Sequence, residues 1–391
     1  MVRFRWFMVV AVMSVMLGMV GARELPAQDT DAEFRPLFNG RDLSGWVLVN
    51  TPPETWSVQD GMLICTGKPI GELRTERMYQ NFILEVEWRH MVPKGNAGIF
   101  VWADDITSRG VPFHRGIEVQ VLENAYGNTQ SHTTHGDIFP IHGASMTPVN
   151  GRGGGSRAFP TQQRAKSSPE WNHYRIEGRD GAISLAVNGE VVTRGTDAVP
   201  RKGYICLESE GGVVHYRNLR IRELPETALD PAHVAIAARG FRSIYTGLNL
   251  NGWTVSGDSG KSWQPNDWVL EFRDDGSEGT SKLTSAESFG NVGFIFDLRP
   301  SEKFTSLSLQ LAGAAEPLQI SATDPRWKEL FGQRNQWQRW EGELHNGMLR
   351  LAVNGKTVID AQPWPTASGP FRFSPRGSAD FANIYVRTLK P

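Results

Sequence analysis

The sequence predicts an all-β protein of two tandem β-sandwiches, and two observations carry that prediction: an internal repeat, and period-two strand patterns punctuated by turns. The repeat opens at Phe38-Asn39-Gly40-Arg41-Asp42-Leu43-Ser44-Gly45-Trp46 and again at Tyr245-Thr246-Gly247-Leu248-Asn249-Leu250-Asn251-Gly252-Trp253, an aromatic-x-Gly-x-x-Leu-x-Gly-Trp frame in both. Further on, Trp171 leads to Ala186-Val187-Asn188-Gly189 and Trp337 to Ala352-Val353-Asn354-Gly355, with 17 residues from Trp to Asn in each copy. Repetition at this scale fixes two units of one plan before any element is assigned. The 391 residues have room for both, and the 41 glycines and 23 prolines suit many short strands joined by turns.

The chain begins with a separate object. Arg3 and Arg5 precede an apolar run from Trp6 to Val20 and the small residues Gly21-Ala22, which reads as a signal peptide over residues 1–22, cut after Ala22. The expected location is therefore the periplasm or the medium. A run of 15 apolar residues falls short of the ~20 that a spanning helix needs, and no Cys directly follows it, so no stable membrane anchor is expected.

Strand patterns follow in order. Phe82 to Trp88, Gly116 to Val121 and Ala182 to Val187 alternate with period two, and Val213 to Ile221 closes the first unit as Ala379 to Val386 closes the second. These place the first unit at residues 34–224 and the second at 241–391. Residues 225–240 carry Ala and Pro without alternation and read as a linker with a short helical turn across Pro231 to Ala238. The 13 tryptophans suit sandwich cores better than sugar platforms. Cys65 and Cys206 lie on apolar segments near the ends of the first unit, where two separately buried thiols are the plainer reading and a disulfide the alternative.

Charge excludes some classes of partner. Removing residues 1–22 takes away two arginines and no acid, leaving 39 basic against 42 acidic residues. With no basic stripe, Gly-rich phosphate loop or zinc-type Cys spacing, nothing points to nucleic acid.

The two units differ most in one loop. Asn124 to Glu170 spans 47 residues with little strand pattern, against 25 for Ala312 to Gln336, and loops of that length inside a domain usually carry function. Four of the nine histidines, His114, His132, His135 and His142, fall within 29 residues, with Glu118, Gln120, Glu123 and Asp137 among and beside them. Imidazoles with carboxylates are ligand chemistry for a divalent cation such as Zn or Mn, and neutral imidazole is a base near neutral pH. The spacing follows no standard metal motif, so a solvated polar loop remains the plain alternative. On Ile117 to Val121 the apolar residues take one face, which sets Glu118 and Gln120 together on the other. The matching strand of the second unit is read as Leu307 to Leu311, placing Ser308 where the first unit has Glu118. Glu208 and Glu210 are further candidates for the same cleft, Arg164 and Lys166 are candidate contacts to sugar hydroxyls or a carbonyl, and Asn172 reads as structural.

These segments resemble the 3-keto-disaccharide hydrolase domain family. The resemblance rests on the Phe-Asn-Gly-x-x-Leu-x-Gly-Trp opening, Gly98-Ile99-Phe100, Gly116-Ile117-Glu118-Val119-Gln120, Trp171-Asn172, Val187-Asn188-Gly189 and Tyr216-Arg217-Asn218-Leu219. It covers about residues 34 to 224, and about 241 to 389 resembles a degenerate copy. The resemblance implies concanavalin A-like jelly rolls, export, and cleavage of glycosides oxidised to a ketone at C3. Such a substrate loses the C2 proton to a base and the C1 substituent by β-elimination, and water then adds. That chemistry asks for a base, an acid and an electrophile, for which a divalent metal ion is suited. Glu118, His135, Asp137 and His142 are accordingly the expected ligands or base, with Gln120, Lys166, Arg164 and Glu208 as contacts to an oxidised carbohydrate. Two alternatives stay open: a retaining glycosidase like the jelly-roll β-glucanases, suggested by Glu118-x-Gln120-x-x-Glu123, and a non-catalytic carbohydrate-binding protein. The second unit, with only His345, is expected to be structural or sugar-binding, and Asp274-Asp275-Gly276-Ser277-Glu278 reads as an acidic surface turn rather than a calcium loop.

Overall fold

A computed structural model describes residues 33–390 apart from 258–260, 275, 277–280 and 366. The expected signal peptide and much of the Asp274 to Glu278 turn thus lie outside the described residues.

Alternation makes the strands. Along Phe82–His90, the residues Phe82, Leu84, Val86 and Trp88 enter the core, while Glu85 and Glu87 face outward and pair with Arg175, Arg220 and Arg217. Each fully buried side chain of this kind contributes roughly 1.5–3 kcal/mol relative to exposure. Four antiparallel sheets result, forming two jelly-roll sandwiches. In the first, a nine-stranded sheet covers a six-stranded one whose order is Trp46–Val49, Gly71–Thr75, Tyr204–Ser209, Gly98–Ala103, Gly116–Gln120, Ile138–Ile141. In the second, an eight-stranded sheet covers a five-stranded one ordered Trp253–Ser256, Lys282–Phe289, Gly369–Arg376, Ser306–Gln310, Leu318–Ser321. Each sandwich has its own hydrophobic core.

The repeated 17-residue spacing has a local cause. Asn188 and Asn354 sit at φ 49° and 51°, each followed by a glycine at positive φ, the conformation of a type I′ hairpin turn. Each asparagine side chain then accepts the backbone N–H of the residue two past its tryptophan: His173 to Asn188 and Arg339 to Asn354, both at 2.9 Å.

Several expectations are refined. The long loop is not strandless: Ile138–Ile141 pairs with the otherwise free edge of Gly116–Gln120, and Ser145–Pro148 joins the edge of the larger sheet. The cysteines are both free and buried, with Cys65 and Cys206 on different sheets. Segment 225–240 holds a 3-10 turn at Pro231–His233, and its backbone is bonded to Arg201, Lys202, Asp104 and Asp105 of the first sandwich.

Asp297 joins the sandwiches. It is fully buried, accepts two bonds from Arg339 at 2.8 Å, and also accepts from the Asn383 side chain at 2.7 Å and from Gly110 N–H at 2.8 Å. Asn383 reaches the Ser108 and Val111 carbonyls, Arg339 reaches the Thr107 carbonyl at 2.7 Å, and Tyr385 meets the Thr107 hydroxyl at 2.8 Å. The segment 107–111 of the first sandwich is therefore held by the second. The first sandwich has the same rung on its own large sheet, where Asn218 donates to Glu87 at 2.9 Å and His173 pairs with Glu87 as Arg339 does with Asp297. There it borders a cavity of about 450 Å³. Replacing Asp297 by Ala leaves Arg339 as an uncompensated buried charge, with an expected loss of ~3–5 kcal/mol in urea unfolding. A loss below ~1 kcal/mol would contradict this account of the joint.

Candidate functional site

On the six-stranded sheet, Leu73, Ile99, Ile117, Val119 and Leu207 point into the core, so the alternate residues Glu72, Gly98, Glu118, Gln120, Cys206 and Glu208 share the opposite face. The ladders set Glu208 opposite Glu72, Glu118 opposite Phe100 and Gln120 opposite Gly98. Gly98 is the reason the acids meet. A Cβ there would lie 2.9 Å from Glu118 Oε1 and 3.0 Å from Glu208 Oε2, so both carboxyls lean into the space a side chain would occupy.

This face is covered. Glu72 is 0%, Glu208 1% and Glu118 7% exposed, and Glu208 Oε2 has no hydrogen-bond partner. Burial, then the facing acids, pushes Glu118 and Glu208 well above the usual carboxylate range. Glu210 is only half-buried, bonded to Asn96, and desolvation raises it to about 7. Gln120 donates to Asn96 at 3.0 Å, so the two amides link the floor to its cover. Beside Glu118, Arg157 lies over the Phe139 ring at 3.4 Å and pairs with Asp137 at 2.9 Å. At the other end, His114 N–H reaches Glu72 Oε1 at 3.3 Å, its Nδ1 contacts Glu72 Oε2, and Cys206 Sγ lies 3.8 Å from that nitrogen.

The expected ligand set does not assemble. Among the described residues, the group whose ligand atoms all lie within 4.8 Å of one another is Glu72, His114 and Cys206, and it holds none of Glu118, His135, Asp137 and His142. His135 is buried, and its Nε2 accepts the backbone N–H of Arg164 at 3.2 Å and of Ala165 at 3.4 Å; desolvation lowers its pKa to about 4. It is a neutral anchor for the loop. Asp137 is fully buried and spent on the Thr133 N–H and hydroxyl and on Arg157. His142 stands at the rim, stacked on Phe113 at 6.4 Å, with burial lowering its pKa and Glu72 opposing that. Arg164 and Lys166 have exposed side chains and contribute backbone groups to His135 and Asn172. His132 bonds Thr129 and Ser131 within its own turn. Glu123 accepts N–H groups of Lys94, Ala125 and Ser168, and burial is outweighed by these bonds, so its pKa falls; it ties loops together and does not face Glu118.

The sequence reading missed Glu72 and passed over Cys206. Glu72 has the same period-two signal as Glu118, but a single acid in Gly71-Glu72-Leu73-Arg74-Thr75 stands out only when the neighbouring strands are known. The alignment with the second unit also changes. Ser306–Gln310 pairs with Gly369–Arg376, as Gly98–Ala103 pairs with Tyr204–Ser209, so Ser308 is level with Gly98 and not with Glu118. Carrying the ladders across from Trp46 and Trp253 sets Glu72 level with Lys282, Cys206 with Arg372, Glu208 with Ser374, Glu118 with Pro317 and Gln120 with Gln319.

Known proteins similar to this chain include glycoside-cleaving enzymes. The 3-keto-disaccharide hydrolase of Bacteroides thetaiotaomicron is 24% identical over 233 residues, 48% of this chain and 77% of that relative. Among solved structures, a protein from Parabacteroides distasonis provisionally assigned as a glycosyl hydrolase is 19% identical, covers 49% of this chain and 94% of its own, and has a TM-score of 0.38. A Bacillus licheniformis beta-glucanase is 13% identical, with 51% of this chain and 100% of its own covered at a TM-score of 0.34. Residues 33–222 match the 3-keto-alpha-glucoside-1,2-lyase-like domain. Over those residues the first sandwich is similar to that domain family.

Proposed function

We propose that the first sandwich cleaves glycosides whose sugar carries a ketone at C3, using the carboxyls around Gly98. A base takes the C2 proton, the electrons collapse to expel the C1 oxygen with a proton from an acid, and water adds OH to C1 and H to C2, giving the free 3-keto sugar. Glu210, at the mouth and raised to about 7, suits the base. Glu118 and Glu208, which burial and the neighbouring acids raise well above the usual carboxylate range, suit the acid and the donor to the enolate oxygen. The observation that carries the reading is this set of adjacent carboxyls with separated proton affinities on one sheet face. The match of residues 33–222 to the 3-keto-alpha-glucoside-1,2-lyase-like domain and the activity named for the Bacteroides relative support the substrate class. Residues 1–22 support export of the chain. Among the described residues no helix is long and apolar enough to cross a membrane.

One observation favours a second reading. Glu118 and Glu208 oxygens face each other across Gly98, an arrangement that in a retaining glycosidase would place a nucleophile opposite an acid. The two differ in substrate. Release of the aglycone from a 3-keto-glucoside, with none from the unoxidised glycoside or a β-glucan, is expected; cleavage of the unoxidised glucan alone would overturn the proposal in favour of the glycosidase. Glu118→Gln is expected to lower kcat on the 3-keto substrate by ~10²-fold or more. The pH profile of kcat/KM is expected to rise through about 7 as Glu210 ionises.

Stability should run the other way. Groups raised above their unfolded value near 4.5 stabilise the fold fully below that pH, and the contribution is lost as pH rises, through about 7 for Glu210 and through the raised range of Glu118 and Glu208. In chelator-treated protein, Glu118→Gln and Glu208→Gln are therefore expected to raise Tm at pH 8 and to change it little at pH 5. Equal effects at both pH values would contradict the burial of these acids as the cause.

A further inference from the structure

We propose that Glu72, His114 and Cys206 form a zinc-binding site at the edge of the acidic floor. The three residues are 0% exposed, come from two neighbouring strands and the segment before a third, and offer one carboxylate oxygen, one imidazole nitrogen and one sulfur within 4.8 Å of one another. A thiolate beside an imidazole and a carboxylate is a donor set that favours Zn²⁺ over Ca²⁺ or Mg²⁺, and three protein ligands leave a fourth position free.

The charge around the site asks for a cation. Glu208 pairs opposite Glu72 on the ladder and keeps a buried, unpartnered Oε2, while Glu118 leans toward Glu208 across Gly98. The nearby arginines are engaged elsewhere. Arg74 lies over the Tyr204 ring at 4.2 Å and donates to the Thr75 carbonyl, and Arg157 is committed to Asp137. Buried carboxylates without a counter-charge are costly, and a bound divalent ion offsets that cost.

The second sandwich supplies an independent contrast. At the positions level with Glu72 and Cys206 it has Lys282 and Arg372, and Ser374 replaces Glu208. Where one copy gathers ligands, the other has fixed cations on the chain. The histidine has no counterpart there either, because residues 311–317, which join the two matching strands, contain none.

The proposal does not depend on the reaction above, because its test reads metal and not turnover. The full chain, stripped with chelator, is titrated with Co²⁺ and then Zn²⁺. One Co²⁺ per chain is expected, with a thiolate-to-cobalt charge-transfer band that Zn²⁺ abolishes. The chain has two cysteines, so Cys65→Ser is expected to keep the band and Cys206→Ser to lose it. His114→Gln and Glu72→Gln are expected to weaken binding at least tenfold, with folding checked by circular dichroism. Absence of retained metal, a band missing from the wild type, or a band lost in Cys65→Ser would overturn the proposal. Should Cys206→Ser fail to fold, the wild-type and Cys65→Ser titrations decide alone.

Discussion

Placing like charges side by side out of water is the constraint on which the first sandwich turns. A sheet normally separates such groups, because neighbouring rungs with the same sign repel and desolvation disfavours every ionised form. Here Glu72, Glu208 and Glu118 crowd one face, and Gly98 between them removes the side chain that would have kept two of them apart. Protonation, hydrogen bonding or a cation must relieve the repulsion. The sandwich core beneath, with aliphatic and aromatic side chains from both sheets, supplies the stability against which this local conflict is tolerated.

The second sandwich acts on that face from a distance. Its Asp297, Arg339, Asn383 and Tyr385 hold residues 107–111, and the same segment forms a bridge from Thr107 to His114, which meets Glu72. The segment has few apolar anchors of its own besides Ile106, which packs with Val49, Ile295 and Tyr385. Its shape is thus set largely by partners from the other copy. This gives the copy without the acidic floor a positioning role that its own face does not disclose.

Much of the fold was legible because alternation and turn chemistry are local. The strands at Phe82, Gly116 and Ala182 and the Asn-Gly hairpins all follow from residues within a few positions of one another. The site was legible only in part. Glu118 and Glu208 could be placed on a sheet face by period two, but Glu72 and Cys206 needed the pairing of Gly71–Thr75 with Tyr204–Ser209, which joins residues over a hundred positions apart. His135 and Asp137 misled for a physical reason. Histidine and aspartate that anchor a long loop by accepting backbone N–H groups look, in one dimension, the same as histidine and aspartate that wait for a ligand.

The rung formed by Asn383 and Asp297 is also present as Asn218 and Glu87, both asparagines lying at φ near 50°. On one copy it is a joint packed with a neighbour's backbone, and on the other it borders open space. Nothing in the rung had to be invented for the joint: a positive-φ asparagine, an acid and a facing basic or imidazole side chain already present a divergent array of donors and an acceptor on a flat sheet. Shortening the acid and lengthening its partner, Asp297 with Arg339 in place of Glu87 with His173, suits the array to loop carbonyls and an amide. Duplication of such a module therefore supplies both halves of an interface at once, since each copy brings a loop to offer and a rung that can receive one.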